Sequence, residues 1–155
     1  RGSAVMRVKE LAQRSGVAPH VIRYYTRVGL LHPARERGNR YRAYALTDVQ
    51  RVRFIRRARW LGFNLSDVGT ILADADQGLS PCPETRHLIQ LRARENHRRL
   101  MAVGALQARM EDAIAQWSRL PDRLPDHASL CYLIDLVAEA DDQGEDDLMR
   151  DDLLT

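Results

Sequence analysis

The spacing of apolar residues predicts two short helices near the start of the chain. Apolar side chains recur at helical spacing in residues 8–14, and this run stops at Gly16. Residues 18–27 can form a second helix, with Pro19 in its first turn and Gly29 just past its end. Two short helices joined by a tight turn that contains glycine make a helix-turn-helix.

A polar stretch with turn signals follows the second helix. A Gly-Asn pair at residues 38–39 lies between two short extended runs within residues 33–44, which predicts a hairpin. A basic hairpin beside a helix-turn-helix is a wing. Thr47 is predicted to cap a helix that ends near Leu61, and Ser66 to begin another short helix.

The longest predicted helix covers residues 83–119, and Pro121 closes it. A seven-residue ladder runs along it, formed by Ile89, Asn96, Val103, Met110 and Trp117, with Leu106, Ala113 and Leu120 at the companion positions. Arg92 and Arg99 interrupt this stripe early. A heptad stripe of this length, with little else in the chain to cover it, predicts a coiled coil between two subunits. The alternative is a helix that folds back on its own domain.

The charge of the chain is strongly polarised. Residues 1–60 hold fifteen Lys and Arg residues against three acids, a balance of +12. Residues 135–155 hold nine acids against Arg150 alone, a balance of −8. This asymmetry predicts a nucleic-acid-binding front and an acidic, disordered tail. A basic membrane surface is the competing interpretation, but no apolar run approaches the length of a bilayer span.

Composition is ordinary for a soluble globular protein, and sequence signals together with cysteine usage predict a cytoplasmic location. Its 155 residues are 45% hydrophobic and 29% charged, and its first residues do not show the charged segment followed by an apolar core that is typical of a secretory signal. Cys82 and Cys131 are far apart, so free thiols or metal ligands in a reducing compartment are favoured over a disulfide. Residues 1–5 are interpreted as the remnant of an expression tag, with Met6 as the natural start.

The side chains of the second helix and of the hairpin have the chemistry of DNA contact. Two clusters of arginine and tyrosine lie within residues 17–44, and cations, hydroxyls and flat rings are what positioning on a duplex requires. An enzyme is disfavoured, because the chain lacks a phosphate-binding glycine loop, a metal-hydrolase helix motif and a nucleophile elbow. A purely structural dimer module would not need the arginine and tyrosine clusters.

Several segments occur in the order and spacing of one known family. They are Leu11-Ala12, Ser15-Gly16-Val17, Ile22-Arg23-Tyr24-Tyr25, Gly29-Leu30-Leu31, Tyr41-Arg42-Ala43-Tyr44, Asp48-Val49, Val52-Arg53-Phe54-Ile55, Leu61-Gly62-Phe63 and Leu65-Ser66-Asp67-Val68. With them, most of residues 6–120 resembles the MerR family of transcriptional regulators. The resemblance implies a homodimer of winged helix-turn-helix domains joined by an antiparallel coiled coil. It also implies activation by distortion of promoter DNA, so that RNA polymerase can engage both promoter elements.

The resemblance also implies which side chains meet the DNA. By position, His20, Arg23 and Tyr24 face the major groove, while Tyr25, Arg37, Arg40, Tyr41 and Arg42 grip phosphates. For the two tyrosines the alternative is that one of them packs in the small core. For Arg53, Arg56, Arg57 and Arg59 both a solvated helix face and phosphate contact remain open.

The family's metal-responsive members resemble this chain in carrying a cysteine at the position of Cys82. A helix over residues 83–119 spans about 55 Å at ~1.5 Å per residue, so only an antiparallel pair brings Cys82 of one subunit beside the loop after residue 119 of the other. Cys82 with His127 and Cys131 of the partner would suit zinc or another thiophilic ion, such as cadmium, mercury or lead. Trp117 stands where those sensors usually carry a further cysteine.

Other sensing chemistries remain open. Cys131 could instead be a small buried residue in an apolar segment. A redox- or electrophile-reactive thiol, or an organic ligand bound near Trp117 and Tyr132, would use the same regulator fold.

Together these patterns predict a mainly α chain in five parts. After the remnant come a winged helix-turn-helix DNA-binding domain over residues 6–75, a hinge and antiparallel coiled-coil dimerisation helix over 76–120, a short effector segment with a metal-binding loop over 121–138, and the acidic tail over 139–155.

Overall fold

The computed structural model describes residues 5–36, 38 and 40–137. The predictions made for residues 1–4, for Arg37 and for the acidic tail over 139–155 lie outside the described residues. The chain divides into two units, Arg1–His97 and Arg98–Thr155, and each is described by itself.

The described elements are mostly helical, as the sequence predicts. In chain order they are β1 Val5–Met6, α1 Val8–Ser15, α2 Pro19–Arg27, β2 Ala34–Arg35, β3 Arg42–Ala45, α3 Thr47–Leu61, α4 Leu65–Asp76, α5 Cys82–Trp117 and α6 Tyr132–Asp135. The strands form one antiparallel sheet in the order β1-β3-β2. A strand over Val5–Met6 was not predicted, because two residues are too short to show periodicity.

The predicted helix-turn-helix is confirmed. Gly16 ends α1 in the left-handed conformation, with φ of +71°, and its N–H bonds to the carbonyls of Ala12 and Gln13. A side chain at this φ would be strained, so glycine permits the tight corner. Extended backbone at Ala18 and the fixed φ of Pro19 then start α2 at once.

The wing is the hairpin of β2 and β3. Ala34 lies opposite Ala43 and Arg35 opposite Arg42, and the N–H of Glu36 donates to the carbonyl of Tyr41. Tyr44 in β3 is fully buried, and its hydroxyl lies 2.8 Å from Oγ1 of Thr26 in α2. Because the Thr26 hydroxyl donates to the Ile22 carbonyl, Tyr44 is the donor of this bond. The wing strand is therefore fastened to α2 inside the core.

The starts of α3 and α4 differ from the prediction. Leu46, not Thr47, occupies the N-cap of α3, and the Asp48 carboxylate instead accepts the N–H of Ala45 across 2.9 Å. Helix α4 begins at Leu65, after a capping box in which Asn64 and Asp67 accept each other's backbone N–H. In both places a carboxylate in the first turn of the helix accepts the backbone N–H of a residue that precedes the helix.

Helix α5 has 36 residues and is about 54 Å long at ~1.5 Å per residue. Its first turns pack on the core of the first unit through Leu88, with Ile89 and Leu91 partly buried. Beyond His97 most of the large apolar side chains on one face of α5 are exposed, namely Leu100, Val103, Met110 and Ile114. This exposed stripe fits a coiled coil.

The described part of the second unit beyond α5 is a loop and the short α6. The side chain of Asp126 accepts the N–H groups of Ala128 and Ser129, which shapes the loop. The Arg123 guanidinium lies 4.3 Å from the centroid of the Tyr132 ring, and the Tyr132 hydroxyl donates to the Pro121 carbonyl. Among the described helices, none is long and apolar enough to cross a membrane.

Candidate nucleic-acid interface

One face of α2 is exposed and carries polar and aromatic side chains. Ile22 and Tyr25 point into the core, which leaves His20, Arg23, Tyr24 and Arg27 on the exposed face. The Arg27 guanidinium lies 5.8 Å from the centroid of the Tyr24 ring, so the two side chains form a cation–π contact on this face.

Tyr25 is a core residue, with 8% of its surface exposed. Burial raises the pKa of its phenol, partly offset by the nearby charges of Arg59 and Arg56. This arrangement fits the alternative in which one of the two tyrosines packs in the core. Contact between Tyr25 and a phosphate stays a prediction.

The wing places arginines directly across from each other. Arg35 and Arg42 are Cα partners on neighbouring strands, so both side chains project from the same face of the hairpin. Like charges in this position repel each other, and an anion between them removes the repulsion. Arg40 and Tyr41 are exposed nearby in the chain. Sequence reasoning did not single out Arg35, because its pairing with Arg42 depends on the hairpin register.

A cleft of about 820 Å³ lies between the wing and the start of the helix-turn-helix. Its cations are Arg7, Lys9, Arg23, Arg40 and Arg42, with Glu10 and Glu36 as the acids that line it. The Arg7 guanidinium lies 4.5 Å from the Tyr41 ring centroid and 3.8 Å from the Glu36 carboxylate. Arg7 and Lys9 were also missed, because they sit before the arginine and tyrosine clusters in sequence and join them only in the fold.

Several arginines of α3 donate hydrogen bonds to backbone carbonyls. Arg53 donates to the Arg14 carbonyl at 3.0 Å, and Arg56 donates to the Gly16 carbonyl at 3.2 Å. These carbonyls end α1 and have no partner within that helix, so the guanidinium groups both satisfy them and complement the helix dipole. Arg59 likewise donates to the Phe63 carbonyl. Helix α3 therefore holds the corner that presents α2.

Arg51 joins three segments of the first unit. Its Nε donates to the Leu30 carbonyl at 2.7 Å, while Nη1 and Nη2 donate to the two carboxylate oxygens of Asp76 at 2.7 and 3.0 Å. The turn after α2 is thus tied through α3 to the end of α4. These hydrogen bonds from Arg51 hold the pKa of the Asp76 carboxyl below its ordinary value.

We expect Asp76→Asn to lower the free energy of unfolding at neutral pH but not in acid. The carboxyl pKa is lower in the folded chain than the ~3.9 of an unfolded chain, so its stabilisation is present above about pH 4 and is lost as the pH falls through the folded-state value. Urea unfolding at neutral pH and in acid measures this. Asp74→Asn on the same helix is the control, and an equal loss at both pH values would contradict the role of the charge.

The three predicted metal ligands are all exposed. Cys82 is the first residue of α5, Cys131 immediately precedes α6, and His127 lies in the loop between the two helices. The exposure of Cys131 argues against its alternative as a buried apolar residue. Within the described part of a single chain, no three His, Cys, Asp or Glu side chains are grouped to hold a metal ion. The predicted site takes ligands from two subunits, so it stays a prediction.

Comparison with known proteins identifies the fold and its use. Residues 6–75 match the MerR HTH family regulatory protein profile, and residues 49–113 match the profile described as MerR, DNA binding. The chain is 34% identical over 109 residues to the HTH-type transcriptional regulator HmrR of Rhizobium leguminosarum bv. viciae, covering 70% of this chain and 84% of the relative. It is also 34% identical over 107 residues to the HTH-type transcriptional regulator ZntR of Escherichia coli strain K12, covering 68% and 75%.

A solved structure extends the likeness over nearly all the described residues. The transcription regulator PbrR691 from Ralstonia metallidurans CH34, in complex with lead(II), matches with a TM-score of 0.67 and 27% identity, covering 85% of this chain and 99% of that one. These relatives are transcription regulators, which confirms the prediction of a regulator rather than an enzyme. The chain belongs to the MerR family of transcriptional regulators and carries that family's helix-turn-helix DNA-binding region.

Proposed function

We propose that this regulator is a homodimer that senses a thiophilic metal ion and activates transcription by distorting promoter DNA. In this proposal residues 6–75 bind DNA, residues 76–120 form the hinge and the dimerisation helix, and residues 121–138 supply metal ligands. The observation that carries the metal assignment is the exposed thiol of Cys82 at the first residue of α5. The similar PbrR691 structure, a lead(II) complex, supports this choice.

The exposed stripe of α5 supports the homodimer. Leu100 and Ile114 are 65% and 67% exposed, and Val103 and Met110 are each about half exposed. Several large apolar side chains on one helix are stable in water when a partner covers them. A second α5 in antiparallel orientation would cover the stripe and would bring the start of one helix beside the end of the other.

The basic cleft supports the contact with duplex DNA. Arg23 on α2 and Arg42 on the wing line the same cleft, so base-edge and backbone contacts are available together. The cross-strand neighbours Arg35 and Arg42 gain most when a phosphate lies between them. We assign His20, Arg23 and Tyr24 to the major groove, and Arg40, Tyr41 and Arg42 to the backbone.

The donor set suits a soft or borderline metal ion. Cys82 of one subunit with Cys131 and His127 of the other would provide two thiolates and one imidazole, a combination that fits zinc, cadmium or mercury. The bound ion supplies a cross-link between the subunits. Cys82 is the first residue of the helix that packs on the DNA-binding unit through Leu88. A metal ion bound to its thiolate can therefore change the orientation of α5 on that unit.

Deformation of the promoter is the step that would raise transcription. A protein that holds its two recognition helices in a fixed arrangement can stabilise bent or untwisted DNA through backbone contacts. RNA polymerase would then meet promoter elements that are poorly placed in relaxed DNA. The chain's own contribution is the basic surface of α2 and the wing, duplicated in the dimer.

Elemental analysis and native mass spectrometry of the reduced protein test the proposal directly. After incubation with zinc, cadmium, mercury or lead salts, we expect a dimer that retains a tightly bound ion in each proposed site. A dimer that retains none of these metals would overturn metal sensing and favour a redox-reactive thiol or an organic inducer. A monomer at micromolar concentration would overturn the homodimer.

A further inference from the structure

Arg92 occupies a companion position of the heptad stripe, where an apolar residue is expected, and its contacts explain the exception. The guanidinium turns toward α4: its Nε lies 2.8 Å from Oδ2 of Asp67, and Nη2 donates to Oδ1 at 3.3 Å. Nη1 donates to Glu95, one turn further along α5. Arg92 therefore belongs to the contact between α4 and α5 rather than to the coiled-coil stripe.

Asp67 is a buried carboxylate whose position is fixed independently of Arg92. Only 4% of its surface is exposed. Its Oδ2 accepts the N–H of Asn64 at 3.0 Å, while Oδ1 of Asn64 accepts the Asp67 N–H at 2.8 Å. The capping box thus fixes the position of the Asp67 carboxylate at the start of α4. The Arg92 guanidinium reaches this carboxylate only when α5 is placed correctly against α4.

The pair adds a directional constraint to an otherwise apolar contact. Leu88, Ile89 and Leu91 pack the start of α5 on the core, but apolar burial has no preferred direction and tolerates small rotations and slides. The Arg92 guanidinium meets both oxygens of this fixed carboxylate, one through the hydrogen bond from Nη2 and the other through the close approach of Nε, and this pairing favours one arrangement of the two helices. Fixing a register is the best-attested role of a buried ion pair.

We propose that the Asp67–Arg92 pair sets the angle of α5 on the DNA-binding unit, and thereby the separation of DNA half-sites that the dimer accepts. This inference rests on the proposed homodimer, because the direction of α5 determines the distance between two α2 helices only when α5 joins them. In dimeric helix-turn-helix proteins the half-site separation follows from the spacing of the recognition helices. Arg92 and Asp67 are positioning residues in this scheme and do not touch DNA.

The test uses the full chain and operators selected with it from a random duplex library. The half-site separation of the best operator is then changed one base pair at a time, and binding is measured at each step. The double variant Asp67→Asn/Arg92→Leu keeps an amide oxygen for the Asn64 N–H and leaves no buried charge unpaired. We expect its preference for the best separation over the neighbouring ones to fall by at least about fivefold, the lower end of ordinary coupling between sites.

Two further variants and native mass spectrometry separate failure of this inference from failure of the proposed homodimer. Glu95→Gln removes the outer carboxylate only and should retain the native spacing profile. Arg92→Lys, which keeps the charge but loses the fork, should broaden the profile partly, and it replaces the double variant if that one does not fold. Folded dimers with a native profile in both Arg92 variants would overturn the inference, whereas a native chain that is monomeric in native mass spectrometry would overturn the homodimer and the inference with it.

Discussion

With Cys82 replaced by serine, we expect the protein to lose metal-dependent activation of transcription while it still binds its operator. A serine hydroxyl stays protonated at neutral pH and is a poor ligand for soft ions, whereas a thiolate is among the best. Loss of an outer-sphere partner of a metal ligand already weakens affinity by ~10–100-fold, so loss of the ligand itself should cost more. Because Cys82 is exposed, stability should change by less than about 0.5 kcal/mol.

Competition with a chromophoric chelator measures the metal affinity, and transcription in vitro measures the response. Cys131→Ser and His127→Ala should behave like Cys82→Ser, and His97→Ala on α5 is the matched imidazole control. Normal metal affinity and activation in both cysteine variants would make the thiols bystanders.

Mixed dimers test whether the site is shared between subunits. A dimer has two proposed metal sites. In a dimer of one Cys82→Ser chain and one Cys131→Ser chain, one of these sites loses both cysteines, and the other keeps Cys82 of one subunit and Cys131 of the other. Mixing the two inactive variants should therefore restore metal binding. A site built within one chain would remain broken in every mixed dimer, and no binding would return.

Arg23→Ala and Arg42→Ala should each weaken operator binding strongly, but in different ways. Arg23 lies on the exposed face of α2, where a good bidentate contact with a base is worth ~1–3 kcal/mol of discrimination. Its loss should reduce affinity and relax the preference at that base pair. Arg42 lies opposite Arg35 on the wing, so its loss should weaken all duplexes alike and reduce the salt slope by about one.

Fluorescence anisotropy with operator and scrambled duplexes over a range of salt concentrations separates these two effects. Arg35→Ala should reproduce the Arg42→Ala result, because the two residues are cross-strand neighbours and we expect both guanidinium groups to contact the same phosphate. Arg109→Ala removes the same charge from an exposed site on α5 and should leave the isotherm unchanged. Native isotherms for both Arg23→Ala and Arg42→Ala would show that the cleft is not the DNA contact.

The helices and the hairpin were predictable because each depends on residues close in sequence. Apolar spacing marked α1, Pro19 the start of α2 and a glycine the turn of the wing. Errors fell at helix starts: the N-cap of α3 is Leu46 and not Thr47, and the Asp48 carboxylate accepts the N–H of Ala45. Strand β1 was missed because its order comes from pairing with β3, which is distant in the chain.

The sequence predicted which elements form the candidate DNA surface, but it did not predict all of the residues on that surface. Arginine and tyrosine clusters revealed α2 and the wing, but Arg7, Lys9 and Arg35 join them only through folding. The arginines of α3 could not be interpreted from composition, since a guanidinium on a phosphate and one on a helix-terminal carbonyl look alike in a sequence. The contacts of Arg53 and Arg56 with the end of α1 fit a structural role, and phosphate contact by these residues stays a prediction.

By itself, then, the sequence determined the family, the helical elements and the residue types available for DNA and metal, because periodicity, turn residues and short motifs are local. Only the tertiary structure decided which partner each charged side chain takes. Arg92, an interruption of the stripe in sequence, meets Asp67 of α4, and Arg51 meets Asp76, both 25 residues away in the chain. The physical reason is that these bonds depend on how helices pack, and packing brings together positions whose relation no local pattern encodes.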